Sequence, residues 1–198
     1  METNRATQNM AQGYVCSESV LLAACQEFEI EIYDKIIPRI ASLFAGGIGN
    51  TGAVCGAVAG AVMAIGLMKE RGDTMEEGLR TLGVAAEFRR RFEAEMKTIN
   101  CRELTGADLT TQEGIEQFMN SDIPRTVCFP AVATAYRLVV DLLKETSQSG
   151  TAEHTSRTSP QAPGSEGSSL APREGIEPPT RCLEGSLGEV PWAVASVH

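Results

Sequence analysis

Six cysteines and two histidines are the side chains of this 198-residue protein best suited to nucleophilic, redox or metal chemistry. Both histidines, His154 and His198, lie beyond residue 147, as do Cys182, the only tryptophan (Trp192) and six of the nine prolines. Residues 1–147 hold Cys16, Cys25, Cys55, Cys101 and Cys128 and no histidine. A His-based triad, a Cys–His nucleophile pair and a His-containing zinc site are therefore excluded from that segment within one chain. Thiols and carboxylates remain. A thiolate can attack a disulfide or an oxidant, and a second thiol can resolve the intermediate. Four thiolates can instead hold zinc or an iron–sulfur cluster.

Four of the five thiols fall where helices are expected to start. Cys16 lies in the first turns of a helix predicted over 11–28. Cys55 follows Thr51, a cap for a helix predicted over 53–68, and Cys101 follows the cap Asn100 and precedes Arg102. Cys128 stands just before Pro130, where the last helix begins. Helix N-termini expose N–H groups and partial positive charge, which favour thiolate and can lower a thiol pKa by about a unit or more. Cys25 sits about 180° round the helix from Cys16, on the apolar stripe of Leu21 and Phe28, and reads as a core side chain. No C-x-x-C is present, so the fold must assemble any dithiol pair.

The elements that would position these thiols are helical. Ile36, Ile37, Ile40 and Phe44 suggest a helix capped by Asp34. Asp73 or Thr74 opens a long charged helix to about Lys97, and Asn100 with Glu103 resembles a capping box. A short helix is expected over Gln112–Met119. The last helix should bury Val132, Ala135, Tyr136, Val139 and Leu143. Phe28–Tyr33 alternates like a strand but has no strand to pair with. Gly52, Gly56 and Gly60 recur every four residues and predict a face where another helix approaches closely. The expectation is an all-α compact bundle of five to seven helices over 1–147. Residues 148–198, rich in Ser, Thr, Gly and Pro, form a tail expected to be disordered.

Charge narrows the partners. Residues 1–147 carry 20 acidic and 14 basic side chains, a balance that argues against nucleic acid. Arg89-Arg90-Arg91 is flanked by Glu87, Glu93 and Glu95 and reads as a solvated helix face. The start carries no apolar signal core, so a reducing, cytoplasmic location is expected. Ile40–Met68 is free of charge, but GGIGNTG interrupts it and a buried central helix is expected there, not a membrane span. Gly47-Ile48-Gly49-Asn50-Thr51-Gly52 spells the dinucleotide pattern G-x-G-x-x-G, yet it lacks a preceding strand and is taken as a tight turn.

Cys55-Gly56-Ala57-Val58-Ala59-Gly60, with Cys16 before it and Cys101 and Cys128 after it, resembles the redox-active family named for the pattern C, GCAxxG, C, C. The family name writes the first two letters of the hexapeptide in the opposite order. The likeness runs from about Cys16 to Leu143. It includes FAGGIG ahead of the motif and NCREL around Cys101. It implies a helical, thiol-dependent redox protein, often encoded near transporter genes. The leading expectation is dithiol/disulfide or electron-transfer chemistry through Cys16, Cys55, Cys101 and Cys128, with Cys55 or Cys101 attacking. No cofactor is required for it, and the partner would be a redox protein, a small thiol or disulfide, or a transporter-linked system. Two alternatives stand beside it. One is a zinc or iron–sulfur centre on the same four cysteines. The other is a non-catalytic interaction module with structural thiols, in which the glycine stripe could serve homo-oligomer contact.

Overall fold

Helix starts and stops are written locally, and most appear where chemistry puts them. The computed structural model describes residues 3–30, 36–69 and 73–153, with side chains through 147. Among the described residues nine α-helical segments form: α1 (Arg5–Ala11), α2 (Cys16–Glu27), α3 (Ile36–Ala41), α4 (Ala45–Ile48), α5 (Gly56–Met68), α6 (Met75–Met96), α7 (Cys101–Thr105), α8 (Gln112–Met119) and α9 (Phe129–Glu153). Among the described residues there is no strand, and the protein is all-α. Six of the nine have seven residues or more, and α3, α4 and α7 are shorter. Asp34, half of the strand-like Phe28–Tyr33, and the tail beyond Glu153 lie outside the described residues. The last helix itself continues past 147, to Glu153.

Boundaries differ in instructive ways. The helix expected over 11–28 starts only at Cys16, because Gly13 turns the chain with φ of 100° after the separate helix α1 has ended at Ala11. Asn4 caps α1 by accepting from the Thr7 amide at 3.1 Å. Glu18 caps α2 by accepting from the Val15 amide at 2.8 Å. α2 ends where Glu29 adopts φ of 54° and the Ile30 amide donates back to the Cys25 carbonyl at 3.0 Å, closing the last turn. Thr74 caps α6 in a reciprocal pair with Glu77, bonded at 3.2 and 3.0 Å. A π-turn over Pro124–Cys128 runs directly into α9.

The core forms where α2, α5 and α9 meet. Val20, Leu21 and Ala24 of α2 face Ala57, Ala61 and Ile65 of α5, with Val132, Val139 and Leu143 of α9 beside them. Phe88 and Phe92 of α6 close the cluster, their ring centroids 6.1 Å apart. All five residues expected on the buried face of α9 are buried. The long segment Pro124–Ser147 is apolar enough to cross a membrane by length and composition, but 56% of its most apolar window is buried against the rest of the protein.

The glycine stripe is what lets α2 and α5 approach. A methyl group on Gly60 would overlap the Ser17 carbonyl oxygen, and one on Gly56 would overlap the Cys16 sulfur and lie 2.9 Å from the Phe44 carbonyl oxygen. Two backbones therefore touch where the first cysteine sits. Gly52 is not part of this face. It precedes the helix, has φ of 78°, and meets Arg102 instead.

Candidate functional site

Each cysteine of the pattern is delivered by a different piece of the fold. Cys16 is the first residue of α2. Cys55 is the residue before α5, because the helix starts at Gly56 and not at Ala53. Thr51 does not cap that helix. Its hydroxyl donates to the carbonyls of Gly47 and Ile48 and pins the glycine turn. Residues 46–50 all have positive φ, including the glycines 46, 47 and 49. Such a run is open to glycine at little cost and is disfavoured for side chains such as Ile48. The dinucleotide-like glycines are thus a left-handed turn.

That turn leads into one isolated antiparallel bridge, Val54 with Asn100. The Cys55 amide donates to the Ile99 carbonyl and the Cys101 amide to the Ala53 carbonyl, both at 2.7 Å. Cys55 and Cys101 therefore stand as diagonal neighbours on one face of the bridge, a separation of about 7–8 Å. Cys101 opens α7, but Asn100 does not cap it through its side chain. Instead Asn100 donates to Glu103 at 2.9 Å, and the Thr98 hydroxyl bonds the same carboxylate. Cys128 ends the π-turn and continues straight into α9, so it is no free helix start. α7 packs against that π-turn.

The four cysteines line one cavity of about 380 Å³. Cys55 and Cys101 are each 7% exposed, while Cys16 and Cys128 are half-buried. Cys25 is buried in the core cluster and does not line the cavity. The remaining wall comes from α1 and its connection to α2 (Met10, Val15), from the glycine turn (Gly46, Asn50), from α7 and the loop after it (Leu104, Leu109), from α8 (Ile115, Phe118) and from the π-turn (Val127). No local signal in the sequence marks these wall residues as a group, since five separate segments supply them. The period of Ile115, Phe118 and Met119 along α8 was the nearest signal available.

Cys16, Cys55, Cys101, Cys128 and a family-wide hexapeptide now occupy one place in the fold. The sequence model of the family described as "Putative redox-active protein (C_GCAxxG_C_C)" matches residues 14–142. The chain belongs to this family. The match begins just before Cys16 and ends within α9, so it spans all four cavity cysteines. A redox role follows from membership. No curated protein and no solved structure matches the chain.

Electrostatics at the family cysteines run opposite to the expectation from helix ends. Burial pushes the Cys101 thiol up to about 11, with a charge on Cys16 adding to it. Burial pushes Cys128 up to about 12, again with Cys16 and Cys101 adding. Cys55 is raised further, first by burial and then by Cys16. Cys16 is also raised by burial, but the backbone amides of Ser17, Gly46, Cys16 itself and Gly56 pull it back. Desolvation wins because a charge in an apolar cavity loses more from water than a few amide dipoles restore. Arg102, the nearest candidate cation in sequence, is paired with Asp108 at 2.6 Å. All five thiols of the described residues are free, with none in a disulfide.

The same geometry tests the metal alternative. Among the described residues, no three Cys, His, Asp or Glu side chains stand close enough to hold a metal ion. The thiols share a cavity wall without converging on a point, so the residues do not fit a four-cysteine zinc or iron–sulfur centre.

Proposed function

We propose that this protein carries out dithiol/disulfide exchange through its cavity cysteines, with Cys16 supplying the attacking thiolate. The observation that carries the reading is that four thiols, distant in sequence, line one cavity. Cys16 takes the attacking role because four backbone amides favour its charged form, while its charge pushes the other three thiols up. This differs from the sequence-based expectation of Cys55 or Cys101. Cys55 is the resolving thiol: Gly56 has no side chain, so the Cys16 sulfur rests against the backbone immediately after Cys55. Cys101 and Cys128, carried by α7 and the π-turn packed against it, form the second pair. The chemistry needs no bound group.

The test is exchange with a dithiothreitol redox buffer, followed by peptide mapping of the bridges formed. A Cys16–Cys55 bridge should appear at equilibrium, and Cys16→Ser should abolish it while leaving the helical circular dichroism unchanged. A protein whose family cysteines stay reduced across the whole range of buffer potentials would overturn the reading. The burial of Cys55 and Cys101 favours the interaction-module alternative in one respect, since buried thiols also pack. That alternative gains if Cys55→Ser or Cys101→Ser unfolds the protein and no redox couple is measurable in the wild type.

A further inference from the structure

The walls of the thiol cavity say which disulfides can enter. Among the described residues no Asp, Glu, Lys, Arg or His lines it. Its neutral polar side chains are Tyr14, Asn50 and Thr105, and the Thr105 hydroxyl already donates to the Cys101 carbonyl at 2.8 Å. Every buried side-chain nitrogen and oxygen among the described residues has a hydrogen-bond partner. Leu104, Leu109, Ile115, Phe118 and Val127 are among the apolar residues that supply most of the surface a ligand would touch. No residue of α8 is buried, so Ile115 and Phe118 form a wall and not a core. A volume of about 380 Å³ lies within the usual range of small-molecule sites.

The geometry points to a small, uncharged, apolar disulfide as the oxidant that this cavity accepts. The inference rests on the dithiol reading and adds the substrate class to it. A disulfide bearing carboxylates would shed its hydration into walls that offer no counter-charge. The formal charge of −9 repels such anions further. In the reaction the Cys16 thiolate attacks one sulfur of R–S–S–R, the S–S bond breaks, and RS⁻ leaves and takes up the proton lost by Cys16. The thiolate of Cys55 then attacks the Cys16 sulfur of the mixed disulfide, and the second RS⁻ leaves and takes the second proton. Two protein thiols are oxidised by two electrons to one disulfide, and R–S–S–R is reduced to two RSH.

Two chromogenic disulfides separate the possibilities: dithiodipyridine, which is neutral, and dithiobis(nitrobenzoate), which is a dianion. Each is mixed with the full-length chain carrying Cys182→Ser, and each rate is divided by that of free cysteine at the same pH. The neutral probe should be favoured about 100-fold after this correction, releasing two thiopyridones for each bridge formed. Equal corrected rates overturn the substrate class but leave the dithiol reading standing if peptide mapping finds the internal bridge. A pyridylthio group retained on each reacted cysteine, with no internal bridge by peptide mapping, overturns the dithiol reading itself. Ile115→Lys places a cation on the wall at a position already 36% exposed. It should raise the corrected rate with the dianion about tenfold, and an unchanged rate removes the cavity as the place of reaction.

Discussion

A cysteine's reactivity is set by what surrounds its sulfur, and here burial dominates. Cys101 and Cys128 titrate near 11 and 12, far above the ordinary value of about 8.5. At neutral pH Cys101 and Cys128 are therefore protonated. Alkylation by iodoacetamide at pH 7 should proceed at least about tenfold more slowly than with free cysteine, and the rate should keep rising beyond pH 9. Cys16 should be the first of the four family cysteines modified, read by mass spectrometry of the digested protein. Modification of Cys55 ahead of Cys16 would contradict the role given to the amides of Ser17, Gly46 and Gly56. Gly56→Ala should slow the reaction at Cys16 as well, because a methyl there overlaps the sulfur. The positions of the thiols near helix starts were legible in the sequence, but their ionisation was not. Local sequence shows a helix end, whereas desolvation depends on residues many positions away.

Between elements, the contact of α2 with α5 is the one that holds the site. Its close approach depends on Gly60 meeting the Ser17 carbonyl, and Ser17 in turn donates its hydroxyl to the Ala41 carbonyl at 2.7 Å. Gly60→Ala forces the two helices apart and should cost about 1–3 kcal/mol, measured by urea denaturation. Gly66 lies in the same helix with nothing within 4 Å of its missing side chain. Gly66→Ala should therefore stabilise the protein by about 0.5–1 kcal/mol through helix propensity alone. Opposite signs at two glycines six residues apart would separate packing from propensity. The period of four in the sequence pointed to this face, and Gly56 and Gly60 occupy it. Gly52 does not, because the positive φ values before it delay the helix until Gly56. The arginine run behaves as its flanking glutamates implied. Arg90 and Arg91 pair with Glu87 at 2.6 and 2.8 Å, and Arg89 pairs with Glu93 at 3.2 Å. Such exposed pairs contribute little because solvent screens them, and Phe88 and Phe92 are the fully buried side chains that anchor α6.

For the whole molecule, the raised thiols link folding to pH. The folded state holds the protons of Cys101 and Cys128 more tightly than the unfolded chain, whose thiols titrate near their ordinary value of about 8.5. Their contribution to stability is complete below that pH. It declines as the unfolded chain ionises and is lost as pH rises through about 11 and 12. Tyr136, pushed up to about 12 by burial and by Glu27, acts in the same direction. The urea midpoint should thus fall steadily between about pH 8.5 and 10.5, and Cys101→Ser should make that slope shallower. A midpoint independent of pH over this interval would show that the thiols are not desolvated. The sequence by itself determined the helical class, the Thr74 cap, the apolar face of α9, the absence of histidine from residues 1–147 and the family, because these depend on neighbours within a few residues or on composition. Only the tertiary structure decided that four cysteines share one apolar cavity without converging on a metal-binding point, and that burial there outweighs the helix ends. A cavity is the gap left between packed elements, and its dielectric belongs to five segments at once.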